Sequence, residues 1–418
     1  MVRLFLALLA SLTLAAATFA QESGPSLRRG VSVHEWLNWS PLEEDGSYRW
    51  PPYRSIEEWL SGGRPLSDWP TGDQFTRIRE MGFDFVRLSV DPGPLLATQG
   101  AKRQEALDVL RAAVGQVTGA GLAAVLDLHA VGQKPEYSLA GLDSNANSEG
   151  TRRYRGMVAD VAGMLAMFGT SSVALEPFNE PGFYPCGADS SGEWQKIMAA
   201  VVSDIRAVSA DLTVIATGAC GGSIAGLIDL DPSFDDPSIR YSFHMYQPHS
   251  FTHQRSDDPD GFVSGLPWPA ATGSLTRSIA ELKARMQADN VDPVVQALNL
   301  AAFQKIAADY FAADAGQAQL DALLDQAVRW AEEHDIPTER LFMGEFGTIL
   351  MTPDGRMGAH NVDRLRYLTA LRKGAERFGI PWSIWEYSNP YGMSVILPEG
   401  SAEADPDLLQ ALGLSQAR

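Results

Sequence analysis

Cysteine is nearly absent. The 418 residues contain two, Cys186 and Cys220, so one disulfide is the most the chain can form, and only where secretion permits it. Basic residues are also in short supply. Lys and Arg number 33 against 52 Asp and Glu, for a formal charge of −19, and no basic tract occurs anywhere. That argues against nucleic acid and anionic membrane surfaces as partners. A neutral polymer such as an uncharged polysaccharide meets no such obstacle. Beyond the amino terminus no apolar run is long enough to span a bilayer, so stable membrane insertion is not expected.

What is present begins with MVRLFLALLASLTLAAATFA, a basic start at Arg3, an apolar stretch from Leu4 to Ala17 and small residues before Gln21. This reads as a signal peptide over 1–20, cleaved after Ala20, and implies a secreted or periplasmic protein. A retained anchor is the competing reading, and the run is short for a spanning helix. Residues 21–418 read as one domain, because helix and strand patterns alternate to the end.

Strand-type apolar runs fall at 27–33, 83–90, 123–130, 173–180, 212–218, 239–246, 341–347 and 381–387. Between them, segments such as 105–121, 193–210, 320–334 and 362–379 repeat apolar residues at helical spacing. Such alternation implies parallel strands with crossover helices, and eight units predict an α/β fold, a closed (β/α)₈ barrel, with an open doubly wound sheet as the alternative. The link between the sixth and seventh strands, 247–340, is long enough to carry two extra helices near 274–288 and 299–313. It is expected to lie over one barrel mouth and not to form a second domain.

Barrel enzymes work at the carboxyl ends of their strands. Those ends carry His34 and Glu35, Arg87, His129, Asn179 with Glu180, His244 with Tyr246, Glu345, and Trp385 with Glu386. Any one of these has an ordinary reading as a satisfied hydrogen-bonding group, but so many on one rim point to a site. In VALEPFNEP, residues 173–181, Glu176 and Glu180 would sit on one strand face about 13 Å apart at roughly 3.3 Å per residue. That is too far for a bond-cleaving pair, whose carboxyls lie roughly 5 to 9.5 Å apart. Glu180 therefore needs a partner from elsewhere, and Glu345 across the mouth is the candidate. One would donate a proton and the other attack. Arg87, His244 and Tyr246 would hold the nucleophile ionised, Asn179 would bond a sugar 2-hydroxyl, and Trp385 would form a flat floor. Glu176, deeper on the same inward face, is expected to make a buried polar contact. The competing reading of the pair is two structural carboxylates in buried ion pairs.

GFDFVRL around Arg87, LDLH ending at His129, EPFNEP with Asn179 and Glu180, FHMY with His244 and Tyr246, GEFG around Glu345 and SIWEY with Trp385 together resemble glycoside hydrolase family 5, the retaining cellulases and related β-glycanases. The resemblance runs from RGVSVHEW to LLQALGL. It implies a (β/α)₈ fold, Glu180 as acid/base, Glu345 as nucleophile, retention of configuration without metal or organic cofactor, and a cis peptide at Trp385-Glu386. Arg87, His129, Asn179, His244, Tyr246 and Trp385 fill the remaining active-site positions of that family.

Substrate identity rests on the loops. The first carries Trp36, Trp39, Trp50, Tyr53, Trp59 and Trp69, and the sixth Tyr246, Phe251, His253, Gln254 and Trp268. Aromatic faces stack on β-linked glucose, although half of these tryptophans could simply pack the loop. The FTHQ stretch at 251–254 is similar to glucan-acting relatives. An endo-β-1,4-glucanase that binds substrate through Trp385, His34, Trp36, His253 and Gln254 is the leading expectation. An exo-acting glycosidase, a mannanase, a glycolipid glycosidase and a non-hydrolysing sugar-binding barrel are the alternatives. A monomer is expected. The barrel places Cys186 after the fourth strand and Cys220 after the fifth, neighbours on one rim, so a disulfide between them is predicted.

Overall fold

Each apolar run becomes a parallel strand, and the strands pair in chain order until the last meets the first: β1 Arg29–Leu37, β2 Phe85–Val90, β3 Ala123–Leu128, β4 Val173–Glu176, β5 Thr213–Thr217, β6 Ile239–His244, β7 Leu341–Phe346 and β8 Trp382–Ile384, a closed barrel. The computed structural model describes residues 24–61, 74–142, 145–232, 236–256, 261–352, 355–389, 392–396 and 403–415. The expected leader at 1–20 and Trp69 lie outside them. Helices Gly100–Gly119, Glu149–Leu165, Glu193–Val208, Gln317–Glu333 and Asn361–Arg377 clothe the barrel. Their apolar faces meet the outward strand residues in one large core.

The barrel interior is layered by alternation of side chains along each strand. At the floor, Leu27, Phe85, Val125, Ala174, Ile215 and Phe342 form a separate buried apolar cluster. Two residues further on, the same face of β2, β3, β4 and β5 carries Arg87, Asp127, Glu176 and Thr217, all fully buried. An apolar plug thus supports a polar tier, and the tier supports the mouth.

β7 departs from simple alternation. Phe243 pairs with Met343 but His244 with Glu345, and on the other side Met343 pairs with Trp382 but Phe346 with Ile384, so β7 holds one residue more than either neighbour. Such a bulge re-aims the side chains that follow it. With Phe342 facing inward, plain alternation would turn Glu345 toward the helices; the extra residue brings it inside.

The long link between β6 and β7 is as expected: helices Leu275–Ala288 and Pro293–Ala312 precede the crossover helix Gln317–Glu333. Its first turn stays at the carboxyl rim, where the Ile349 N–H donates to the Thr252 carbonyl at 2.9 Å. Cys186 and Cys220 are joined, tying the loop after β4 to the loop after β5.

Candidate active site

Sequence alternation extends the fourth strand to residue 180, but β4 stops at Glu176. Pro177 lacks the amide a ladder needs, and the Tyr154 hydroxyl takes its carbonyl at 2.7 Å. Phe178 then plunges into the helix layer, stacked on Tyr154 at 4.9 Å and edge-on to Trp194 at 4.7 Å. Anchoring Phe178 outside returns Asn179 and Glu180 over the mouth, so Glu180 stands on a loop.

Glu345 is held at both oxygens. Arg87 Nη1 donates to Oε1 and the Tyr246 hydroxyl to Oε2, each at 2.8 Å. The Tyr246 backbone is braced in turn by Thr252 Oγ1, 2.7 Å from its carbonyl. The glycines of GEFG are packing requirements. A Cβ at Gly344 would lie 2.8 Å from Ser242 Oγ and 3.0 Å from His244 Nε2, and one at Gly347 2.6 Å from the Trp385 carbonyl.

Arg87 organises the polar tier. Its guanidinium reaches Glu176 at 2.6 Å, Glu345 and Asn179 at 2.8 Å and Asp127 at 3.1 Å. Asp127 was missed from the sequence, although LDLH offered the signal: an acid two residues before His129 shares its strand face. The contacts define a relay. His129 Nδ1 lies 2.9 Å from Asp127 Oδ2, and Asn179 Nδ2 lies 3.1 Å from His129 Nε2. Asp127 accepts from Nδ1–H, which leaves Nε2 to accept from Asn179. With Asn179 Oδ1 taken by Arg87, its second amide hydrogen is left for a ligand. Glu176 makes the buried contact expected of it, with Arg87.

His244 Nδ1 stands between the carboxylates, 2.7 Å from Glu180 Oε1 and 3.6 Å from Glu345 Oε2. An oxygen of each glutamate and a ring nitrogen of His244 all fall within 4.8 Å of one another. The donors already aimed at these oxygens, a phenol, a guanidinium and an imidazole, make this a proton-handling set more than a ligand set for a cation. Burial pushes the His244 imidazole down, but Glu345 and the bond to Glu180 outweigh it and raise its pKa. For Glu180 burial pushes the carboxyl up, yet the hydrogen bond and charge of His244 leave it below the ordinary value. Tyr246 is driven well above its usual value by burial and then by the two glutamates, so it remains a donor.

His34, Trp385 and His129 line one wall, with ring centroids 4.7 Å apart for His34 and Trp385 and 5.6 Å for His129 and Trp385. Burial, then His129, keeps the His34 pKa well below the usual value. Trp385 is half-buried and its peptide to Glu386 is cis. Glu386 is buried, its carboxyl pushed well up by burial and by Glu35. His253 sits edge-on to Tyr246 at 5.2 Å.

Two expected substrate contacts are corrected. Trp36 is 3 % exposed, stacked on Trp59 and tilted against Phe75, with its indole N–H on the Arg54 carbonyl. It packs the first loop. Gln254 is fully buried and bonds the Phe251 and Leu266 carbonyls and the Leu266 amide, bracketing the sixth loop. Trp39 and Phe183 keep exposed faces, on the first loop and three residues past Glu180.

A (β/α)₈ barrel with two carboxylates converging at its carboxyl rim has the architecture of a glycoside hydrolase. The chain belongs to the cellulase family, glycosyl hydrolase family 5, whose model matches residues 54–390. It is similar to Endoglucanase 3 of Fibrobacter succinogenes, 25 % identical over 254 residues, covering 60 % of this chain and 35 % of that protein. It is also similar to Endoglucanase C of Acetivibrio thermocellus, 27 % identical over 185 residues, covering 43 % and 51 %. The chain thus spans about half or less of the length of these curated relatives. Among solved structures, Thermotoga maritima Cel5A in complex with mannotriose shares the fold at a TM-score of 0.62 and 18 % identity, over 92 % of this chain and 97 % of that one.

Proposed function

We propose that this chain is a secreted or periplasmic retaining β-glycanase that hydrolyses β-linked glucan by double displacement, in the manner of an endo-β-1,4-glucanase. The observation that carries the reading is the closeness of the carboxylates, with oxygens of Glu180 and Glu345 within 4.8 Å. Retaining enzymes hold their carboxyls about 5–5.5 Å apart, whereas inverting ones leave roughly 6.5–9.5 Å for a water.

Glu345, fixed by Arg87 and Tyr246, attacks the anomeric carbon while Glu180 gives its proton to the departing glycosidic oxygen. A covalent glycosyl-enzyme forms. Water then attacks that carbon, Glu180 takes the water's proton, and the Glu345–sugar bond breaks. The Glu180 side chain is 40 % exposed, so a leaving group that covers it removes water and pushes its carboxyl up from the lowered value of the free site. That is the direction a proton donor requires. Asn179 offers its second amide hydrogen to the 2-hydroxyl, and Trp385 lies beneath the same ring. Glucan as substrate is supported by the family and by the relatives named endoglucanase.

The test is reducing-sugar release from β-1,4-glucan, mixed-linkage glucan and β-1,4-mannan, with NMR of the first-formed anomer. We expect glucan cleaved in the chain interior and the β-anomer appearing first. Glu345→Gln should be inactive, and Glu180→Gln should lose about 10²–10⁴-fold. An α-anomer appearing first would refute retention, and preferred release from mannan would replace glucan as substrate.

A further inference from the structure

Glu180 stands on a loop, beyond the hydrogen-bond ladder of β4, so something other than the sheet must fix it. The segment against it is Ala219–Gly222, directly after β5. Cys220, at φ 52° and ψ 45°, and Gly221, at φ 66° and ψ 33°, both occupy the left-handed region, and Gly222 follows at φ 65°. Consecutive left-handed residues are rare, and Cys220 has no glycine's freedom there. The turn is held from outside. The Cys220 N–H donates to the Tyr184 carbonyl at 2.9 Å, and its sulfur is bonded to Cys186, both on the loop that carries Glu180.

The turn reaches Glu180 itself. A Cβ on Gly222 would lie 3.8 Å from Glu180 Cγ, 3.6 Å from the Asn179 carbonyl and 3.3 Å from the Thr217 methyl, and one on Gly182 would lie 3.9 Å from Gly221 Cα. No more than a methyl group's space therefore separates the turn from the stem of the side chain whose carboxylate meets His244.

We propose that the disulfide-tied left-handed turn Cys220-Gly221-Gly222 is a positioning device for Glu180, setting the carboxyl against His244 and the leaving-group oxygen. This rests on Glu180 being the acid/base. The bond from Cys186 holds Cys220 in a conformation that a non-glycine residue leaves when free to do so. Once released, the turn no longer backs the glutamate. Cys186 and Cys220 are then positioning residues, on the loops after β4 and β5 and not on the strand that bears the nucleophile.

Acid assistance matters for a sugar leaving group and not for an acidic phenol, so two substrates separate positioning from general stability. In Cys186→Ser and in Gly222→Ala, kcat/KM on cellotetraose should fall at least about tenfold, part of the roughly 10²–10⁴-fold a positioned acid supplies, and on 2,4-dinitrophenyl β-cellobioside by less than about twofold. Dithiothreitol treatment of the wild type, reversed by reoxidation, gives the same comparison should either variant fail to fold. Losses equal on both substrates, or no loss on cellotetraose, overturn the proposal. Glu180→Ala is measured alongside. If it too loses both substrates equally in kcat/KM, the acid/base assignment itself falls.

Discussion

Replacing Arg87 with Met asks how the polar tier is balanced. The guanidinium is fully buried and lies within 3.1 Å of three carboxylates, Asp127, Glu176 and Glu345. Removing it strands three buried acids without their cation. Breaking a buried ion pair from one side costs about 3–5 kcal/mol. Unfolding entropy of about 2.1 cal/mol/K per residue over roughly 400 residues gives ~0.8 kcal/mol/K, so Tm should fall by about 4–6 °C. The loss should depend on pH, and the sign follows from linkage. Without Arg87, burial raises the Asp127 and Glu176 carboxyls in the folded state above their unfolded values, near 4 by the ordinary scale. Their protonated forms are tolerated below that value, and stability is lost as the pH rises through the raised ones. Thermal scans should show a deficit larger at about pH 7.5 than at about pH 4.5. Arg87→Met/Glu176→Gln should recover part of it at the higher pH while turnover stays lost. A deficit independent of pH, or a fall under about 1 °C, would refute the balance described here.

Asp127→Ala removes the acceptor that orients His129 and should cost about 1–3 kcal/mol of transition-state stabilisation, read as kcat/KM. Unchanged kinetics would mean that the relay to Asn179 is idle. His244 has a folded pKa raised above 6.5, so its contribution to stability is complete below that value and is lost as the pH rises through the folded one. His244→Gln should therefore lower Tm more at about pH 6 than at about pH 9, and equal losses would contradict the placement of Nδ1 between two carboxylates. Gln254→Ala should cost about 1–3 kcal/mol through its three backbone bonds and leave KM alone. Trp36→Ala should cost about 3–5 kcal/mol, with Trp36→Phe keeping the wild-type KM. A higher KM at unchanged Tm in either would return that residue to the substrate.

The barrel was legible because eight apolar runs separated by amphipathic stretches leave little else to build, and strand-end residues are forced onto one rim. Arg87, His129, His244, Tyr246 and Trp385 could be placed that way from period and position alone. What stayed hidden depends on local breaks in the period. Nothing in LFMGEFG announces an extra residue in β7, and Pro177 with a buried Phe178, not strand alternation, sets where Glu180 ends up. Aromatic content in the first and sixth loops could not say which rings face solvent. Trp36 lost that position to packing against Trp59 and Phe75, while Trp39 kept it. Gln254 read as a sugar contact because a polar side chain in a loop gives no sign that three backbone groups beside it need partners.

The extra residue in β7 makes the reaction depend on counting as well as on composition. Gly344 both supplies the added step and, by having no side chain, leaves room for the His244 ring. Taken into the ladder as an ordinary step, the same residue would restore plain alternation to the strand and carry the Glu345 carboxylate to the outside of the barrel. Every functional group would survive in the sequence, and the nucleophile would face the helices.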